Sequence, residues 1–157
     1  MNRLVIPLQG RTVFLTGDTV VWAELELSLR NGAGLWQTEP FRFDTGAEMS
    51  TMPAWYAKQL ALPMPIRPSP GHLTNLPGVP IRSGFVRAKV VGLGPTAFVF
   101  PCYFLGDPDV APARPAGHFL HNLLGLTGVV NQLRFGFDGT STPTLAAPFG
   151  VLTVEEP

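Results

Sequence analysis

The residues best suited to chemistry lie in one run, Phe41-Arg42-Phe43-Asp44-Thr45-Gly46-Ala47-Glu48-Met49-Ser50-Thr51-Met52-Pro53. Asp44 closes a strand-like stretch and stands where that strand would hand over to a loop. A carboxylate there suits acid–base work on water if a second carboxylate comes within about 3 Å and the two share one proton. Two like charges that close cannot both ionise at low cost, so such a pair titrates as a unit. One member takes a proton from water. The other, protonated, donates a hydrogen bond to a substrate carbonyl and later passes its proton to a leaving amine. Gly46 lets backbones approach closely and offers an unhindered N–H to the carboxylate. Thr45 adds a hydroxyl able to bond across to a neighbouring loop.

The elements that must position Asp44 are legible as strands. From Val20 to Leu29 the chain alternates, with Val21, Ala23, Leu25, Leu27 and Leu29 on one side and Trp22, Glu24, Glu26 and Ser28 on the other. That period of two is a half-buried strand. Asn31-Gly32-Ala33-Gly34 turns the chain, and a second strand from Trp36 to Phe43 runs into Asp44. Downstream, Pro53 to Leu62 reads as a helix, with Ser50 or Thr51 available as a cap, Met52, Tyr56 and Leu60 on one face, and Pro63 as its stop. Residues 63–80 hold six prolines and two glycines and read as loop. Phe85 to Val91 and Thr96 to Leu105 read as strands, the second interrupted or edge-placed because of Pro101. Another proline-rich loop spans 106–117. A short helix from Leu126 to Leu133, a strand from Arg134 to Asp138 and a short strand from Gly150 to Val154 complete the pattern.

Composition bounds the answer. The chain has 157 residues, 45% hydrophobic and 14% charged, which fits a single globular domain over 1–157. Lys+Arg and Asp+Glu are both 11, so no basic excess points to nucleic acid or an anionic membrane. Low charge also leaves little repulsion between copies. Glycine and proline number 17 each; spread along the chain, they imply many turns between short elements, as in an all-β protein. The one cysteine, Cys102, lies in an apolar run and reads as a buried thiol. No apolar run approaches the roughly 20 residues a membrane span needs, and Pro7 interrupts the N-terminus before a signal-peptide core forms. A cytoplasmic protein without a membrane partner is the expectation.

The extended run resembles the active-site loop of the retropepsin-like, single-domain aspartic peptidases and their bacterial relatives: a strand, Asp44-Thr45-Gly46-Ala47, the acidic Glu48, Ser50-Thr51, then a helix opening at proline. A second stretch strengthens the likeness. Asn122-Leu123-Leu124-Gly125, helix-like Leu126 to Leu133, then Arg134-Phe135-Gly136-Phe137-Asp138 is similar to the family's apolar-apolar-Gly, helix, strand ending. The resemblance covers about residues 20–140. It implies an all-β fold with one or two short helices and a closed, barrel-like sheet. It also implies cleavage of peptide or protein substrates through a water, without metal or other cofactor.

One Asp-Thr-Gly is present where that mechanism needs two aspartates. Asp138-Gly139-Thr140 echoes it, but its order leaves no glycine where the N–H is needed, and it follows the second stretch at once. The second carboxylate is therefore expected from Asp44 of another copy, in a two-fold homodimer. Thr45 and Gly46 are expected to support the loop, and Ala47, Glu48 and Arg42 to line the substrate site. Arg42 departs from the family, which generally has an apolar residue there. It could bind an acidic side chain or lower the pKa of the carboxylate pair. Leu126 departs too, standing where retroviral members carry an arginine. Both departures also fit a non-catalytic binding protein built on the same fold. A mobile hairpin tip is expected between His72 and Gly78. His72, His118 and His121 form no metal pattern.

Overall fold

The computed structural model describes residues 2–74, 76–112, 122–139 and 146–157. In chain order the elements are β1 (Arg3–Pro7), β2 (Gln9–Thr12), β3 (Thr19–Arg30), β4 (Trp36–Phe43), β5 (Ser50–Pro53), α1 (Ala54–Gln59), β6 (Ile81–Val90), β7 (Phe98–Leu105), β8 (Leu123–Leu124), β9 (Arg134–Asp138) and β10 (Val151–Glu155). The larger sheet runs β2-β3-β4-β8-β5-β7-β6, and a further antiparallel pairing, Leu27↔Val90 to Leu29↔Ala88, joins β6 back to β3. The smaller sheet is β1-β10-β9, antiparallel throughout.

Alternation decides which face of β3 is buried. Ala23, Leu25, Leu27 and Leu29 are almost wholly shielded from solvent. Val21, expected on the same side, is exposed instead, because the start of β3 runs past the core to pair with β2 at Gly10. The turn into β4 is organised by Asn31. Its Oδ1 accepts from the N–H groups of Ala33 and Leu35 at 3.0 and 2.9 Å, and Gly34 takes a φ of +83° that an L side chain resists. On β4, Phe41 is fully buried and meets Phe100 of β7 edge to face. Truncating a ring in such a position costs about 3–5 kcal/mol.

Two further local expectations differ from the structure. Ser50 and Thr51 do not cap a helix: both belong to β5, paired in parallel with Cys102 and Tyr103, and α1 starts after Pro53 without a side-chain cap. The helix accordingly buries Ala54 and Ala57, with Tyr56 and Leu60 only partly covered. The segment from Leu126 to Leu133 is a series of turns rather than a regular helix. It keeps the N–H bonds of Val130 to Leu126 and Leu133 to Val129, but Gly128 at φ +73° breaks the helical path.

Pro101 is accommodated without interrupting β7. It pairs with Phe85 on one side, and β5 joins the other side only from Cys102 onward. Alongside, the Gln132 amide accepts from the Val99 N–H at 3.4 Å and donates to its carbonyl at 2.7 Å, standing in for a strand at that edge. The core also takes in Leu8, Leu152 and Val154 from the two ends of the chain. Cys102 is buried within it, and burial pushes its thiol pKa up. No helix among the described residues is long and apolar enough to cross a membrane.

Candidate active site

The two stretches singled out in the sequence meet at the end of β4. This strand runs parallel to β8, with Arg42 opposite Leu123 and Phe43 opposite Leu124. The Arg42 N–H donates to the Asn122 carbonyl at 2.8 Å, and the Asp44 N–H to the Leu124 carbonyl at 3.0 Å. Asn122 is itself buried and donates its side-chain amide to the Pro40 carbonyl. The loop then folds back on its own carboxylate. Gly46 N–H donates to Asp44 Oδ1 at 2.9 Å, and Ala47 N–H to the Asp44 carbonyl at 3.2 Å.

Beyond this point the loop crosses the segment after β8. Gly125 N–H donates to the buried Ser50 hydroxyl at 3.0 Å, Leu126 N–H to the Ala47 carbonyl at 3.0 Å, and Thr127 N–H to the Glu48 carbonyl at 2.8 Å. Only glycine fits at 125. A Cβ there would lie 2.5 Å from the Met49 carbonyl carbon and 2.9 Å from the Ala47 oxygen. Leu126 packs against the core where the family pattern would place an arginine. From the other side Phe43 stacks on Phe135 and Phe137 of β9, centroids 4.4 and 5.7 Å apart, which ties the smaller sheet to the residue before Asp44.

Asp44 opens into a cleft of about 330 Å³, lined by Leu8, Val20, Val21, Trp22, Ala23, Arg42, Phe43, Asp44, Thr45 and Phe137. Asp44 is the one carboxylate among those residues. Arg42 shares the cleft because residues two apart on a strand point the same way. Its guanidinium lies 4.8 Å from the centre of the Trp22 ring. Among the described residues Arg42 Nε and Trp22 Nε1 are both buried without a hydrogen-bond acceptor, a condition that costs about 1–3 kcal/mol for each such group.

The remaining candidates are placed less centrally. Thr45 and Glu48 are exposed, and Ala47 is half-buried. Ala47 and Glu48 serve the crossing through their backbone carbonyls. The expected hairpin tip is a turn closed by Leu73↔Leu76 and by Ser69↔Ile81, and none of its described residues lines the cleft. His118, His121 and Thr140 lie outside the described residues. Asp138 ends β9 opposite Val151. No group of three or more His, Cys, Asp or Glu side chains that could hold a metal occurs among the described residues.

Trp22 and Ser50 are the residues that sequence reading passed over. Counting the β3–β4 register back from the turn would have found Trp22, since Ala23 faces Phe43 and the next position of β3 comes alongside Asp44. Ser50 carried no comparable signal, because a serine three residues before a proline-led helix also reads as a cap.

A retropepsin-like aspartic protease from Rickettsia conorii is among the solved structures similar to this chain, with a TM-score of 0.50 and 13% identity over 97% of this chain and 89% of that one. The likeness is one of fold. No family model matches the sequence, and no curated protein matches it. The mostly-β architecture expected from the sequence thus has a retropepsin-like counterpart among known structures.

Proposed function

We propose that the chain is an aspartic endopeptidase, active as a homodimer in which Asp44 of each copy supplies one carboxylate of the pair. The observation that carries this reading is the crossing of the 44–50 loop with Leu123-Leu124-Gly125, which holds Asp44 at a strand end in an open cleft. Among the described residues of a single chain that cleft contains one carboxylate, and the shared-proton mechanism needs two. A two-fold axis beside the cleft supplies the second, and the strands of the larger sheet form the closed wall that supports it.

In the proposed reaction, the ionised carboxylate takes a proton from a water whose oxygen attacks the peptide carbonyl carbon. The protonated carboxylate hydrogen-bonds the carbonyl oxygen and passes its proton to it as the C–O bond forms, while the proton taken from water stays on the first carboxylate. The resulting diol collapses as the C–N bond breaks, and the amine leaves with a proton from the pair. Gly46 fixes Asp44 through its N–H, and Thr45 reaches toward the second copy. Ala47, Glu48 and Arg42 contact the substrate. No metal or cofactor takes part.

Replacing Asp44 by Asn keeps the size of the side chain and removes its charge. The D44N variant is expected to fold and to dimerise as the natural protein does, with cleavage of a peptide library abolished. Retained cleavage refutes the assignment. Arg42 favours a second reading, a non-catalytic binding protein on this fold, since it places a cation in the cleft. A monomer at micromolar concentration that cuts no peptide supports that reading.

A further inference from the structure

We propose that Arg42, held by Trp22, makes this cleft a carboxylate-recognising subsite, so that the preferred peptide carries an acidic group next to the bond that Asp44 attacks. This deepens the peptidase reading and rests on it for the identity of the ligand as a peptide. The cation and the carboxylate line the same cleft. Arg42 and Trp22 lie on the face of β3 and β4 opposite the one that buries Ala23, Leu25, Phe41 and Phe43, and Asp44 follows directly on the end of β4. The rest of the lining is largely aliphatic or aromatic.

Among the described residues no carboxylate pairs with Arg42. Its cross-strand neighbour in register is Glu24, yet no ion pair within 4 Å joins them, and Glu24 does not line the cleft. Among the described residues, its guanidinium has the Trp22 ring as its contact and no hydrogen-bond acceptor. Stacking on an indole fixes the plane of a guanidinium while leaving its terminal N–H edge open. A planar fork with five donors matches a carboxylate in geometry and charge. Asp44 is the one carboxylate lining the cleft among the described residues, and the proposed chemistry commits it to water and substrate.

The test uses the natural protein and four short capped peptides matched in length. One pair differs as Glu against Gln beside a common apolar core, both C-terminally amidated. The other pair has neutral side chains and differs as free acid against amide. Binding is followed by the Trp22 indole N–H resonance, and cleavage by mass spectrometry. At least one acidic peptide is expected to bind about tenfold tighter than its neutral match. Preference for the Glu peptide assigns the subsite to a side chain, and preference for the free acid assigns it to a chain terminus.

In R42M the preference is expected to vanish, and in R42E to turn toward a Lys peptide, a reversal that a merely structural role of Arg42 does not produce. Equal binding within both pairs by the natural protein overturns the proposal and needs no variant. Acid-selective binding without cleavage sustains this subsite and refutes the peptidase reading. Cleavage without acid preference does the reverse.

Discussion

Replacing Gly125 by Ala probes the crossing that positions Asp44. The added methyl would stand 2.5 Å from the Met49 carbonyl carbon, 2.6 Å from its oxygen and 2.9 Å from the Ala47 oxygen, whereas ordinary contacts start near 3.4 Å. All three atoms are backbone, so no side chain can rotate away, and the loop must move by roughly 1 Å. That movement stretches the Gly125–Ser50 and Leu126–Ala47 bonds together. Overpacking of this kind costs about 3 kcal/mol, the upper part of its usual range. For a domain of this size that lowers Tm by about 6–12 °C. A displacement of the same order at a reacting carboxylate slows cleavage by about 10²-fold. Thermal unfolding followed by circular dichroism, together with cleavage rates on one peptide, measures both effects. A G125A protein that melts within about 1 °C of the natural one at full rate shows that the two segments do not cross this closely.

Ser50→Ala removes the acceptor for the Gly125 N–H at a buried position. Urea unfolding is expected to show a loss of about 1–3 kcal/mol, and Ser50→Thr, which keeps the hydroxyl, a smaller one. Tyr56 donates its hydroxyl to Glu39 Oε2, and that bond, with burial and the Glu39 charge, pushes its pKa from 10.0 up to about 12. The folded state therefore holds the proton longer than the unfolded state does. The stabilisation is fully present below pH 10 and is lost as pH rises through 12, as the direction of that shift requires. Solvent screening keeps it to about 1 kcal/mol, so stability of the natural protein should fall toward that of Y56F across this window in alkaline urea titrations.

Much of the site was legible because it depends on short-range rules. The alternation of β3 and the turn at Asn31 fix where β4 ends, and so where Asp44 emerges. Leu123-Leu124-Gly125 was recognisable from residue type, although its contact with the Asp44 loop is a long-range pairing that periodicity cannot reveal. What escaped was set by neighbours distant in sequence. Ser50 became a strand residue because β7 lies alongside it. Leu126 to Leu133 carried a helical pattern, but Gly128 fits against Pro101 and Phe100 with a positive φ, so packing overrode propensity. The N-terminal strands β1 and β2 are short and went unread, and they form against partners far along the chain or already in the sheet, β1 against β10 and β2 against β3.

The need for a second copy can be tested by mixing. Natural protein is combined with a ninefold excess of D44N and left until subunits exchange, and cleavage is measured at constant natural protein. If each site needs Asp44 from both chains, only dimers of two natural chains work, and the rate should fall to about one-tenth. A rate that stays at its starting value contradicts the account, because Asp44 would then act without its counterpart.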